Sequence, residues 1–369
     1  MVNTKYEWVD GELITAEKLN NSQDLLLNYA EEDFNNKFSQ STKILPYMRT
    51  VPVNKMVSIG YGDIVPINGA GVDRISSMGA DISLCVLVYV KDIHDPNPIS
   101  ADYTKLRSSI DTIRNGGGRV GMLKPHINLD QQLDSLDRTT YDPSDYPTFF
   151  ANWGNLLVEY ANIAKEKDIP ILSIGCETFN LIDNKYLSYW QEIVRRIKAV
   201  NPDLKITYAM SVFEYSYPQN QGTINTVVDY IGMNIYPSWT TKLWSSGVTY
   251  KDLIPGFYND NGGTNYQNVM DYFSDKYNKP VLITEIGFMP QPDAINFLIS
   301  KTLNDTPNFD VLAEIMKAVF TIVKNTPNVI GLAWWGSSST PFTFFKMNEV
   351  TVTEKILTNY YKTGEILDV

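Results

Sequence analysis

Histidine and cysteine are scarce, with two of each among 369 residues. His94 and His126 are too few for a multi-histidine zinc site, so no metal and no cofactor is expected. Cys85 and Cys176 each sit inside an apolar run. They form neither a CxxC pair nor a disulfide framework. Positive charge is also short. Lys plus Arg is 31 against 42 for Asp plus Glu, a formal charge of −11, which argues against a groove that neutralises nucleic-acid phosphates. The longest strongly apolar run, Ile82 to Val90, has nine residues, far below a membrane span. The opening MVNTKYEWVDGEL has neither the basic nor the apolar region of a secretory signal. There is no GxSxG elbow, no Walker loop and no GxGxxG after a strand, which removes the common serine-hydrolase and nucleotide-binding readings.

What is present is the balance of a folded chain, 43% hydrophobic and 20% charged,. Eight short apolar runs recur: Met56–Ile59, Ile82–Val90, Arg119–His126, Ile169–Gly175, Leu204–Ser211, Val228–Ile235, Pro280–Ile286 and Val329–Trp335. Amphipathic stretches lie between them, among them Tyr103–Arg114, Phe149–Lys167, Tyr186–Val200, Tyr266–Tyr277 and Val311–Lys324. Continuous apolar runs are the mark of parallel strands buried on both faces. Eight strand–helix units over roughly 320 residues predict a (β/α)8 TIM barrel with long loops, the longest at Ser238–Gly263. Residues 44–369 form this domain. Residues 1–43 read differently, as a helical anchor. Thr15 caps a stretch whose apolar positions Leu19, Leu26, Ala30, Phe34 and Phe38 make one stripe,. Such a stripe docks on the main domain or self-associates.

In a parallel barrel the working residues sit at the C-terminal ends of the strands. Two acids stand out there. Glu177 follows the fourth run and Glu285 ends the seventh, each after an otherwise uncharged stretch. A lone carboxylate at the end of a buried strand is costly unless paired, hydrogen-bonded or protonated. Strands four and seven face each other across the mouth, so the pair can divide the work of glycoside cleavage. One neutral acid protonates the leaving oxygen, and one carboxylate attacks or activates water. The competing reading is two salt-bridged acids on loop shoulders.

Other strand-end residues are candidate substrate contacts: Lys124 and His126 after the third run, Tyr208 on the fifth, and Asn234 and Tyr236 on the sixth. Trp239 in the long loop and Trp334 on the eighth strand are candidate sugar platforms. Alternation turns Trp335 toward a helix. Trp153 and Trp190 read as packing residues, Cys176 as a small buried filler, and Asp63 as either a site or a turn residue.

These residues also carry a family resemblance. Met122-Leu123-Lys124-Pro125-His126, Ser173-Ile174-Gly175-Cys176-Glu177, Val228 to Tyr236, Lys279 to Gly287 and Ile330 to Trp335 resemble the clan A (β/α)8 glycoside hydrolases. The likeness is greatest to family 113, which contains β-mannanases. The resemblance implies a retaining reaction with Glu177 as acid/base, Glu285 as nucleophile and Tyr236 bonded to the nucleophile. One departure stands out: many clan members carry Asn directly before the acid/base, where this chain has Cys176. Mannan is therefore not carried over as the substrate. A second resemblance covers Trp8 to Asn20, which is similar to the N-terminal anchors of tail and baseplate proteins of phages of Gram-positive bacteria. It implies a virion tail protein acting outside the host cell on a surface or wall polysaccharide. Residues 1–43 would then join a homo-oligomer, such as a trimer, or other tail proteins. A non-catalytic adhesin on the same barrel and a free secreted polysaccharidase are the alternative expectations.

Overall fold

The computed structural model describes residues 54–61, 71–129, 135–216, 223–296, 306–338 and 341–368. The expected anchor in residues 1–43, and Asp63, lie outside the described residues.

Eight parallel strands close into a barrel: β1 (Asn54–Tyr61), β2 (Asp81–Tyr89), β3 (Val120–Asn128), β4 (Ile171–Cys176), β5 (Lys205–Met210), β6 (Tyr230–Asn234), β7 (Val281–Ile286) and β8 (Val329–Trp335). Each pairs with the next in chain order, and β1 closes the ring by pairing with both β2 and β8. A two-residue antiparallel strand, Ile99–Ser100, adds to β2. The expected (β/α)8 barrel is therefore the observed fold.

The helices are α1 (Val72–Ser77), α2 (Tyr103–Asn115), α3 (Tyr146–Glu166), α4 (Leu187–Val200), α5 (Val212–Ser216), α6 (Tyr250–Tyr258), α7 (Tyr266–Tyr277), α8 (Phe309–Asn325) and α9 (Val352–Thr363). Their starts follow side-chain chemistry. Asp102 caps α2 by accepting from Thr104 and Lys105 N–H groups, and Asp145 caps α3 with Pro in its first turn,. Helix α6 lies within the stretch read as loop Ser238–Gly263. Pro255 and Gly256 inside it masked the helical pattern, yet the Thr249–Asp252 capping box starts it,.

Strand side chains alternate between two apolar sets. One, with Val57, Leu84, Leu123, Leu172 and Ile231, packs under the helices. The other is small and fills the lower lumen: Met56, Met122, Ile171, Leu282, Ile330 and Ala333. Irregularities interrupt the strand ladders near the mouth as well as lower down. Register shifts fall between Ser173 and Cys176 on β4, Met233 and Asn234 on β6, and Ile283 and Ile286 on β7. Such irregularities re-aim side chains at strand ends. Here they lie next to Cys176, Asn234 and Glu285.

Candidate active site

Lys124 and His126 stand two and four residues above Met122 on β3, so the parity that sends Met122 into the plug sends them into the upper lumen,. Lys124 is wholly buried. Its Nζ lies 2.6 Å from Glu285 Oε2 and donates to the Thr284 carbonyl at 3.3 Å and to Asn234 Oδ1 at 3.5 Å. Burial alone would discharge this ammonium. The Glu285 carboxylate facing it reverses that effect, and the Lys124 pKa lies above the ordinary lysine range,. The other carboxylate oxygen of Glu285, Oε1, accepts from the Tyr236 hydroxyl. Burial, reinforced by the charge of Glu177 and opposed by Lys124, moves the Glu285 carboxyl above the usual carboxylate range,.

Glu177 is held differently. It has a left-handed backbone, φ 56°, unusual for a residue with a side chain. Its own N–H donates to the Ala209 carbonyl on β5 at 3.0 Å. Its Oε1 accepts from Asn234 Nδ2 at 2.8 Å, and its Oε2 lies 2.8 Å from Arg138 Nη2. Its side chain is 20% exposed against 9% for Glu285. Asn234 is thus the joint between the acids: its Nδ2 donates to Glu177, and its Oδ1 accepts from Thr284 Oγ1 at 2.8 Å and from Lys124.

His126 is buried, its ring stacked on Trp335 with centroids 6.1 Å apart. Among the described residues neither ring nitrogen has a hydrogen-bond partner. Burial, then the positive charges of Arg138 and Lys124, holds its pKa well below the usual value, so the ring is neutral. Burial likewise pushes the Cys176 thiol well above its usual range. One donor atom each from His126, Cys176 and Glu285 lies within 4.8 Å of the others, close enough to suggest a metal. The Lys124 ammonium already supplies the positive charge beside that carboxylate.

Three expected contacts are corrected. Tyr208 is fully buried and does not reach the mouth; its hydroxyl is engaged with Thr178 and Glu214. Trp239 is 2% exposed, packed against Phe257 and Phe288 rather than open to a sugar. Trp334 is fully buried against Phe320 of α8, under the helices. Trp335 takes the lumen side instead, because it shares a register row with Ser58 while Trp334 shares one with Val57 of the helix-facing set. The strand phase expected at β8 was inverted. Trp153 and Trp190 are packing residues, their indole N–H groups donating to the Ile174 and Leu181 carbonyls. Arg138 was missed. It precedes α3 in the loop after β3, and an inventory of strand ends does not reach it. Thr284 was missed because it is uncharged.

Two glutamates at the ends of β4 and β7, joined by one hydrogen-bonded chain at the mouth of a closed (β/α)8 barrel, define a clan A glycoside hydrolase. The model of Glycoside Hydrolase Family 113 matches residues 91–349, and the chain belongs to that family, a family of retaining glycoside hydrolases. A GH113 β-1,4-mannanase has a similar structure, with TM-score 0.65 at 14% identity over 85% of this chain and 99% of that one. A GH113 β-mannanase from Alicyclobacillus acidocaldarius matches with TM-score 0.59 at 14% identity, covering 85% and 98%. A GH2 β-galacturonidase from Eisenbergiella tayi matches with TM-score 0.53 at 15% identity, covering 86% of this chain and 52% of that one. At these identities the likeness concerns the fold. No curated protein sequence matches the chain. Among the described residues no helix is long and apolar enough to cross a membrane.

Proposed function

We propose that Glu177 is the acid/base and Glu285 the nucleophile of a retaining endo-glycosidase that shortens a polysaccharide on the surface of a Gram-positive host. In the first step a Glu285 oxygen forms a bond to the anomeric carbon. The glycosidic bond breaks, and its oxygen takes the Glu177 proton. In the second step Glu177 removes a proton from water, which displaces Glu285 and restores the configuration. The observation that carries this reading is the chain Glu177–Asn234–Lys124–Glu285, which binds the two carboxylates to one centre.

Two contacts at Glu285 support its part in the division of roles. Lys124 and the Tyr236 hydroxyl favour the ionised form of Glu285 that attack requires. Once Glu285 is esterified, the buried Lys124 loses its counter-charge, a state costing several kcal/mol. That cost favours departure of the carboxylate in the second step. The unsatisfied nitrogens of neutral His126, each an unpaired polar group worth about 1–3 kcal/mol, suit hydroxyls of a bound sugar,. Trp335 offers the aromatic face beside them.

The proposed setting is a phage or prophage tail, with residues 1–43 as the anchor to a trimer or to other tail proteins. It rests on the likeness of Trp8 to Asn20 to tail anchors. The test incubates the full chain with host-wall polysaccharides and, separately, with β-1,4-mannan, following chain length and product configuration. Shortening of a wall polysaccharide with retention, lost in Glu177→Gln and Glu285→Gln, is the expected result. Shortening of mannan alone would favour a free mannanase-like polysaccharidase. Binding without shortening, or variants as active as the wild type, would overturn the assignment of these acids.

A further inference from the structure

Glu177 owes its aim to a left-handed backbone, and something must hold that conformation,. Below it stands a group of buried polar residues that the proposed reaction does not use. The Thr178 N–H donates to the Tyr208 hydroxyl at 3.0 Å, and Thr178 Oγ1 lies 2.9 Å from the same oxygen. The Tyr208 hydroxyl donates to Glu214 Oε1 at 2.5 Å. The other oxygen of Glu214 accepts from the Ser211 N–H, also at 2.5 Å. Tyr208 and Glu214 are both fully buried. The Tyr208 ring sits edge-on to Trp190 and passes so close to β4 that a Cβ on Gly175 would lie 2.7 Å from Tyr208 Cε2. Glycine at 175 is what lets the ring reach the peptide after Glu177.

We infer that Tyr208 and Glu214 are positioning residues for Glu177, fixing its left-handed turn through the Thr178 peptide so that its carboxyl meets Asn234 at the mouth. This rests on the reading of Glu177 as the acid/base. A carboxyl group is rarely buried without a task. Here burial raises the Glu214 pKa to about 8, against the pull of its bonds to Tyr208 and Ser211. The group is kept in an arrangement that a plain apolar filler would satisfy more cheaply. A purely structural role would predict equal damage to both carboxylates of the site. The positioning role predicts damage to Glu177 alone, because Glu285 is held by Lys124 and Tyr236 instead.

The test compares wild type, Tyr208→Phe and Glu214→Gln as full chains, both variants being close in shape to the native residues. The first readout needs no substrate. The Thr178 amide of the wild type should exchange with solvent at least ~10²-fold more slowly than an exposed amide, and the crystal structure of a variant should show residue 177 leaving φ near +60° while Lys124 still pairs with Glu285. The second readout is kcat/KM on a β-1,4-linked mannooligosaccharide and on its 2,4-dinitrophenyl glycoside, whose leaving group needs no proton. The variants should lose ~30-fold or more on the first and less than ~3-fold on the second, within the range that general acid catalysis supplies. Rapid exchange at Thr178, an unchanged φ at residue 177 in Tyr208→Phe, or equal losses on both substrates would overturn the inference. If the wild type cleaves neither mannoside, the mannanase-like substrate falls, and exchange and crystallography alone decide the positioning role.

Discussion

The same strands that plug the barrel below arm it above. On β3 the lumen-facing positions run from Met122 in the plug to Lys124 and His126 at the mouth, and on β7 from Leu282 to Thr284. The lower layer is apolar and fully satisfied by packing. The upper layer holds a buried ion pair and an imidazole with no hydrogen-bond partner. A stable floor needs only volume and low polarity. The mouth carries charge where packing alone would be cheaper, and buried charge without a partner or a ligand is destabilising. The contrast separates residues that hold the barrel from residues proposed to meet a substrate.

Five substitutions sharpen or break that contrast. Lys124→Met should have the largest effect. It leaves the Glu285 carboxylate buried without its counter-charge, costs ~3 kcal/mol or more in urea unfolding, and lowers kcat by ~10²-fold or more. Adding Glu285→Gln should restore part of the stability and none of the activity; a double variant no more stable than Lys124→Met would argue against a coupled pair. Leu282→Ala, in the floor, should cost ~2–5 kcal/mol of stability while kcat at 25 °C stays within ~3-fold. A selective loss of kcat there would blur the division between layers. At β8 the effects should be smaller. Trp335→Ala should raise KM ~10-fold by removing the face beside His126, whereas Trp334→Phe should leave kcat/KM within ~3-fold, as measured by initial rates. The reverse pattern would restore the strand phase first expected from the sequence.

The smallest effect is a pH dependence. The Glu214 pKa is raised to about 8 in the fold against about 4.3 unfolded. The folded state therefore binds the extra proton between those values. Stability from this group is fully present below the unfolded value and is lost as pH rises through about 8,. Tyr208, Ser211, Glu177 and Tyr215 surround it. Thermal melts should show the wild type losing a few degrees from pH 5 to pH 9 relative to Glu214→Gln. A constant difference between the two proteins would contradict the shift.

Much of this was legible in the sequence, and the failures have physical causes. The apolar runs located all eight strands because parallel barrel strands are covered on both faces. Glu177, Glu285, Lys124, Asn234 and Tyr236 could be picked out because each is a polar residue within or just after an apolar run. Their shared network is a tertiary fact, set by register shifts that no run displays. Tyr208 looked available because it lies near the end of a strand, but parity and Gly175 direct its ring beneath the mouth. At Trp334-Trp335 two identical residues left only the strand phase to decide, and the phase depends on pairing with β1. Arg138 and helix α6 were missed for opposite reasons. The arginine lies in a loop with no periodicity, and the helix hides its periodicity behind Pro255 and Gly256.

The central claim is that Glu285 captures the sugar while Glu177 moves the proton. Azide rescue of alanine variants tests it most directly, on a glycan or aryl glycoside the wild type cleaves. In Glu177→Ala, azide should replace water on the glycosyl-enzyme and give a glycosyl azide of retained configuration. In Glu285→Ala, it should attack the substrate directly and give the inverted azide. The opposite pairing of variant and configuration, or no dependence on azide in either, would contradict the assignment.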